Sequence, residues 1–176
     1  ALRSRAGKLW ARVCVYFSPD GEGGKRLRRR GRSKDDAEQD VAGDLALRAD
    51  ELVRRRGYVL ESHLVQTSDG YLLNLHRIPH GRRGADAPDA PRRPAVLLQH
   101  GLMMNSEVWL CKGAVSLPYV LADAGYDVWM GNTRGNRYSS AHVELSSADD
   151  GFWDFSLDEL CRFDMPAAIG YILRET

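Results

Sequence analysis

Downstream of Tyr58 the apolar positions recur with two different periods. Between Tyr58 and Thr67 they alternate imperfectly with polar ones, Ser68-Asp69-Gly70 supplies turn chemistry, and Tyr71, Leu73 and Leu75 then alternate with Leu72, Asn74 and His76. Period-two alternation around a Gly-containing turn predicts a β-hairpin. Residues 79–94, rich in Pro, Gly, Arg and Asp, read as a surface loop. The run Ala95-Val96-Leu97-Leu98-Gln99 is apolar on both faces and predicts a buried central strand, as in a parallel sheet. Ser116 to Gly125 fits a short helix stopped by its glycine, and Tyr126 to Met130 is a second buried strand. Gly131 to Asn136 forms the loop at that strand's end. Ser156 to Thr176 predicts a helix. Ser156 and Glu159 have capping-box spacing, Leu157, Leu160, Cys161, Ala168, Tyr171 and Ile172 make an apolar stripe, and Pro166 is expected to kink it. Upstream, residues 35–56 read as a helix leading into the domain, with Asp35 and Asp36 at its start, Arg54 to Arg56 at its end and Gly57 as its stop. Gly43 weakens its middle.

Strand and helix alternate after residue 94, which argues for an α/β fold whose sheet is mostly parallel, with flanking helices. A doubly wound sheet needs more strands than these. Residues 57–176 are therefore expected to be the front part of a larger domain, incomplete at the C-terminal side.

Charge divides the chain. Its 176 residues carry 25 Lys+Arg and 24 Asp+Glu, but residues 1–34 hold eleven of the basic and only two of the acidic side chains. This basic tail or linker is expected to have little fixed structure. Its Lys25 to Arg32 run suits a solvated linker, an anionic membrane or lipid-droplet surface, or weak unspecific contact with nucleic acid. No aromatic interleaving or motif supports specific nucleic-acid binding. No run approaches the roughly 18 apolar residues of a membrane span. Cys14, Cys111 and Cys161 lack metal spacing, and Cys111 and Cys161, set among apolar residues, are expected to pack as small hydrophobes. No cofactor or metal site is indicated.

His100-Gly101-Leu102 lies where a buried strand ends, and ligands of open α/β sheets bind beyond the carboxyl ends of strands. Gly101 lacks a Cβ, so a substrate can approach the backbone, and the Leu102 N–H is the candidate donor to a developing oxyanion. A strand-ending His-Gly without a catalytic role is the plainer reading of those residues alone. Trp109, Trp129 and Trp153 read more readily as core, but a lipid ester site needs apolar lining, and Trp109, close after this loop, is the candidate wall for an apolar substrate.

The surrounding motifs extend this. Thr67 to Leu73 with Leu75 to Pro79, Leu98 to Leu102 with Ser106 to Trp109, Ser116 to Pro118 with Leu121 to Trp129, Gly131 to Asn136 with Tyr138-Ser139, and Phe152 to Ser156 with Asp158-Glu159 and Asp164 to Ala167 follow one another in order. Together this stretch resembles the acid lipase family of α/β-hydrolases: gastric and lysosomal acid lipases and fungal steryl ester hydrolases. The resemblance covers about two thirds of the chain and corresponds to the lipase-associated, partial α/β-hydrolase segment; residues 1–56 lie outside it. It implies an ester hydrolase acting on acylglycerols or steryl esters through a Ser-His-Asp triad. Leu102 falls on the family's oxyanion-donor position, with His100 and Gly101 shaping that loop.

One departure is decisive. The family's G-x-S-x-G nucleophile elbow is absent from the 176 residues. Only Gly131 and Gly135 have its spacing, and Thr133 stands between them. The resemblance makes that loop a structural turn and places the serine, and the acid and base after it, beyond Thr176. The chain alone is then expected to be inactive. The competing reading is a catalytically dead α/β module that binds lipid or a protein partner. His63, His76, His80 and His142 read as structural, Asp149-Asp150 and Asp158-Glu159 as a solvated loop and a helix start, and Asp154 and Asp164 as capping or turn-binding groups. For compartment, the cationic tail points to an intracellular membrane such as the endoplasmic reticulum or a lipid droplet. The gastric and lysosomal members point to a secretory or lysosomal route.

Overall fold

A computed structural model describes residues 14–16 by their backbone, and residues 43–44, 46–82 and 92–176 in full. Apart from residues 14–16, the basic stretch 1–34 lies outside the described residues, as does the middle of the loop after residue 82. Strand β1 is Cys14–Tyr16, helix α1 Ala49–Arg55, β2 Glu61–Gln66, β3 Tyr71–Ile78 and β4 Ala95–Leu98. Helix α2 is Leu117–Asp123, β5 Asp127–Met130, β6 Ala141–His142, α3 Leu157–Glu159 and α4 Met165–Glu175. The sheet is mixed. Its order is β1-β4-β5-β3-β2, with β6 paired to β3. β1, β4 and β5 run parallel, whereas β3 is antiparallel to β5, β2 and β6.

The expected hairpin forms, with Val65 opposite Leu73 and Gln66 opposite Leu72. β4 and β5 are buried at every position, as strands covered on both faces are; β4 is wholly apolar, and the one charge in β5, Asp127, is paired with Arg77. Alternation then sorts their side chains. Val96, Leu98, Val128 and Met130 point to one face, where α1 and α2 cover them with Ala49, Leu52, Val53, Tyr119 and Ala122. Ala95, Leu97 and Trp129 point to the other, joined by Leu73 and Leu75 of β3 and covered by Phe152, Ala168 and Ile172. Fully burying one such side chain contributes about 1.5–3 kcal/mol, so these two clusters hold the strand ends, and the loops that leave them, in fixed positions.

Two expected helices differ from the sequence reading. The one over 35–56 is helical only over Ala49–Arg55; residues 35–42 lie outside the described residues, and Gly43, Asp44 and Ala46 form turns. The reason is Asp44. It is buried and its carboxylate pairs with Arg56 and Arg55, so the chain must fold back across α1 instead of running into it. The start signal is Glu51, whose carboxylate accepts the Arg48 N–H at 2.8 Å. The stop is as expected, with Gly57 at φ +79°.

The helix over 156–176 runs on through a change of winding. It opens on the expected capping box, Glu159 accepting from the Ser156 N–H at 2.7 Å. Leu160–Asp164 then forms a π-helical turn, and α4 restarts with Pro166 in its first turn. There the missing N–H of proline leaves no bond unmade.

Candidate active site

β4 and β5 end side by side, and the loops that follow them face each other across an open cleft of about 890 Å³. The first loop, residues 99–105, turns sharply: the Met104 N–H donates to the Gly101 carbonyl at 3.3 Å, and Met103 has φ +59°. Met103 is the single described non-glycine residue in that left-handed region. A four-residue turn with positive φ only at its third position is of type II. The Leu102 N–H, at the second position, donates to no group among the described residues. Leu102 and Met103 are 67% and 95% exposed. A Cβ added at Gly101 meets only Met104 Sδ, at 3.7 Å, and the residue needs no positive φ. The fold itself therefore does not require glycine there; the free side of that backbone faces the cleft.

His100 holds this turn from behind. Its Nδ1 lies 2.8 Å from the Gly101 carbonyl, so Nδ1 carries the proton and donates. Nε2 is then the acceptor for the Thr133 N–H (3.3 Å) and Asn136 Nδ2 (3.2 Å) of the opposite loop. Burial pushes its pKa below the ordinary imidazole value, against the opposing effect of the Gly101 bond. Asn132 continues the network. Its Oδ1 accepts from the Ser106 N–H at 2.9 Å and from Asn136 at 3.0 Å, and its Nδ2 donates to the Asn74 carbonyl at 2.9 Å and to Ser106 Oγ at 3.3 Å. Ser106 in turn donates to His76 Nδ1 at 2.8 Å, and burial takes His76 down to about 4.

The other side of the 131–136 loop is charged. Arg134, with 1% of its side chain exposed, donates from Nε to Asp164 at 2.8 Å and through NH1 and NH2 to Asp69 at 2.6 and 2.9 Å. Its guanidinium lies 3.8 Å from the Tyr71 ring centre. Burial holds Asp164 above the usual carboxylate range in spite of its bonds from Arg134. Asp69 is more exposed. There burial also pushes upward, but the bonds from Arg134 and Thr67 win and hold it below that range. Gly135 completes the loop at φ +80°, where a Cβ would strike the Phe155 ring at 2.8 Å.

The cleft wall is apolar. Met103, Met104, Trp153, Phe155, Leu157 and Met165 line it. Trp109, expected as wall, instead packs against the core cluster beneath α1 and α2 and does not line the cleft, whereas Trp153 does. Trp129 is core. Cys111 and Cys161 are exposed, contrary to expectation. Cys161 stands in the π-turn, and Cys111 follows the turn after Trp109, where no second layer covers them. Thr133 offers its amide, not its hydroxyl, to His100, so no Thr–His nucleophile pair is assembled.

The remaining histidines are engaged structurally. His63 meets Tyr171 Oη and Glu61, His80 the Gly81 carbonyl, and His142 the Asp69 carbonyl and the Glu144 and Leu145 amides. Asp149 accepts from the Ser146 N–H, as a turn residue does. Sequence reasoning missed the Arg134–Asp69–Asp164 group. Its members are separated by 65 and 30 residues, and only the motif Gly131 to Asn136 hinted that its arginine mattered.

A sheet whose parallel strands end at a glycine-containing loop over an apolar cleft is the architecture of the α/β-hydrolases, and a model of the alpha/beta hydrolase fold matches residues 94–176. A second model, the partial alpha/beta-hydrolase lipase region, matches residues 49–113. The chain is 49% identical over 127 residues to human lysosomal acid lipase/cholesteryl ester hydrolase, covering 72% of this chain and 31% of that protein. It is 46% identical over 128 residues to a probable lipase of Schizosaccharomyces pombe (72% and 28%), and 49% identical over 117 residues to triacylglycerol lipase 2 of Arabidopsis thaliana (66% and 28%). The chain belongs to the acid lipase family of α/β-hydrolases. It spans a little under a third of the length of these relatives.

Proposed function

We propose that the protein hydrolyses lipid esters by acyl transfer, and that this chain supplies the oxyanion-stabilising loop of the site. The observation that carries the reading is the Leu102 N–H, left without a partner by a type II turn at the mouth of an apolar cleft. A backbone donor held in this way needs no reorganisation when charge develops on a carbonyl oxygen. The attacking serine, with its acid and base, belongs to polypeptide outside these 176 residues. Gly101 leaves room for the ester, and Met103, Trp153 and Leu157 give its acyl chain an apolar surface. The names of the human and plant relatives support steryl esters or triacylglycerols as the substrate class.

For compartment, the human relative's name favours the lysosomal or secretory route over an intracellular membrane surface. No helix among the described residues is long and apolar enough to cross a membrane. Contact of residues 1–34 with an anionic lipid surface stays part of this proposal, motivated by their excess of cations. It predicts vesicle binding that weakens as salt is raised.

The test is Leu102→Pro in the full-length protein. Proline suits the second position of a type II turn; it removes the N–H and exchanges the exposed leucyl side chain for a ring. Loss of one such donor lowers kcat by about 10²–10³ on cholesteryl oleate or triolein, with thermal unfolding unchanged. Wild-type activity retained in that variant would refute the role of Leu102.

A further inference from the structure

Every peptide unit is a rigid plane in which C=O and N–H point in opposite directions. The Gly101 carbonyl and the Leu102 N–H are the two ends of one such unit. Fixing the carbonyl therefore fixes where the amide proton points. Two donors converge on that carbonyl: the Met104 N–H at 3.3 Å and His100 Nδ1 at 2.8 Å. The first belongs to the turn itself. The second comes from a side chain only 6% exposed, whose other nitrogen is gripped by Thr133 and Asn136.

We propose that His100 is a positioning residue, a neutral imidazole strut that clamps the Gly101 carbonyl and thereby aims the Leu102 N–H into the cleft. The inference rests on the esterase reading above and adds to it the group that sets the donor's direction. The strut has a fixed far end. Asn136 is held by Asn132 Oδ1 at 3.0 Å, and Asn132 is 2% exposed and bonded on all sides to Ser106, Asn74 and Asn136.

Only one tautomer satisfies this arrangement. Nδ1 must donate and Nε2 must accept from two N–H groups, so a cationic ring would turn the second set of bonds into donor against donor. The charged side chains on the neighbouring elements are occupied elsewhere: Arg134 with Asp69 and Asp164, and Arg137 with Glu107, which also accepts from the Tyr138 hydroxyl. Burial and the Gly101 bond are what act on the ring, and burial prevails. With both ring nitrogens engaged, His100 acts through the Leu102 amide rather than by proton transfer.

The test uses the full-length protein. His100→Ala should lower kcat on a soluble short-chain ester by about 100-fold, the scale of a 1 Å misplacement, with KM changed by less than about threefold, as for a group that acts only in the transition state. His100→Asn places an amide N–H where Nδ1 stands and should recover part of that loss; it also carries the test if the alanine variant does not fold. ¹⁵N spectra of the wild-type histidines near pH 7 should show His100 neutral with the proton on Nδ1. The Leu102 amide resonance should shift in His100→Asn. An unchanged kcat in the folded variants, a proton on Nε2, or a charged ring at that pH overturns the strut. Full-length protein without any ester hydrolysis refutes the functional reading instead; the tautomer and the Leu102 resonance then decide on the strut by themselves.

Discussion

The loop Gly131 to Asn136 is held from two sides by opposite chemistry. Asn132, Thr133 and Asn136 reach toward the 100–106 loop through neutral groups, each donor matched to an acceptor. Arg134 reaches the other way, into one guanidinium shared between two carboxylates. The neutral side fixes direction, since its bonds decide which way a peptide faces. The charged side fixes position, because it pins this loop at once to the hairpin turn at Asp69 and to the π-turn at Asp164. The two sides should also fail differently. A neutral network loses roughly 1–3 kcal/mol for each buried group left unsatisfied, whereas a buried ion group that loses one partner strands whole charges.

The largest effect should come from breaking the charged side. Arg134→Met is expected to cost about 3–5 kcal/mol in urea unfolding, because it leaves Asp164 buried without a counter-charge. The double variant Arg134→Met with Asp164→Leu should be less damaged than the single one. If the two variants are equally unstable, burial of the aspartate is not the cause.

The neutral side is next, and pH probes it. His76 titrates at about 4 when folded and near 6.5 when unfolded. The unfolded chain therefore binds the proton first as pH falls. Its contribution is complete above pH 6.5 and declines between 6.5 and 4, by about 3 kcal/mol in all. His100 is shifted in the same direction and adds to the decline. Asp164, raised by burial, acts with the opposite sign. Unfolding free energy followed from pH 7 to pH 4 should fall with acid, and His76→Gln should flatten the slope.

The smallest effect lies between the two sides, at the turn itself. Met103→Gly removes a left-handed non-glycine residue whose side chain is 95% exposed and packs on nothing. It should stabilise by about 0.5–1 kcal/mol, the left-handed penalty less the extra freedom of glycine in the unfolded chain. A destabilised Met103→Gly would mean that the methionine makes contacts this fold does not show.

Much of this architecture was legible in the chain. The apolar runs Ala95 to Leu98 and Val128 to Met130 marked strands because burial on both faces demands such runs, and the hairpin followed from alternation around Ser68-Asp69-Gly70. The His100-Gly101-Leu102 loop was legible as a candidate site for the same reason, since it closes a buried strand. Helix limits were less legible. The start of α1 is set by Asp44 folding back onto Arg56, a contact no local propensity encodes. Nearness in sequence to the His-Gly loop singled out Trp109, yet Trp153 lines the cleft, because which aromatic faces the core depends on the turns that carry them. Arg134 and its carboxylates could not be found by spacing, since three distant segments meet there only once the sheet has formed.

The π-helical turn at Leu160–Asp164 holds one residue more than a regular helix needs. Each residue rotates a helix by roughly 100° about its axis. Excising a single position there would restore a regular helix and swing Leu157, with Phe155 just before it, around to a different side of the molecule. This segment should therefore resist shortening, and the gauge of the apolar cleft is written into an apparent imperfection of the backbone.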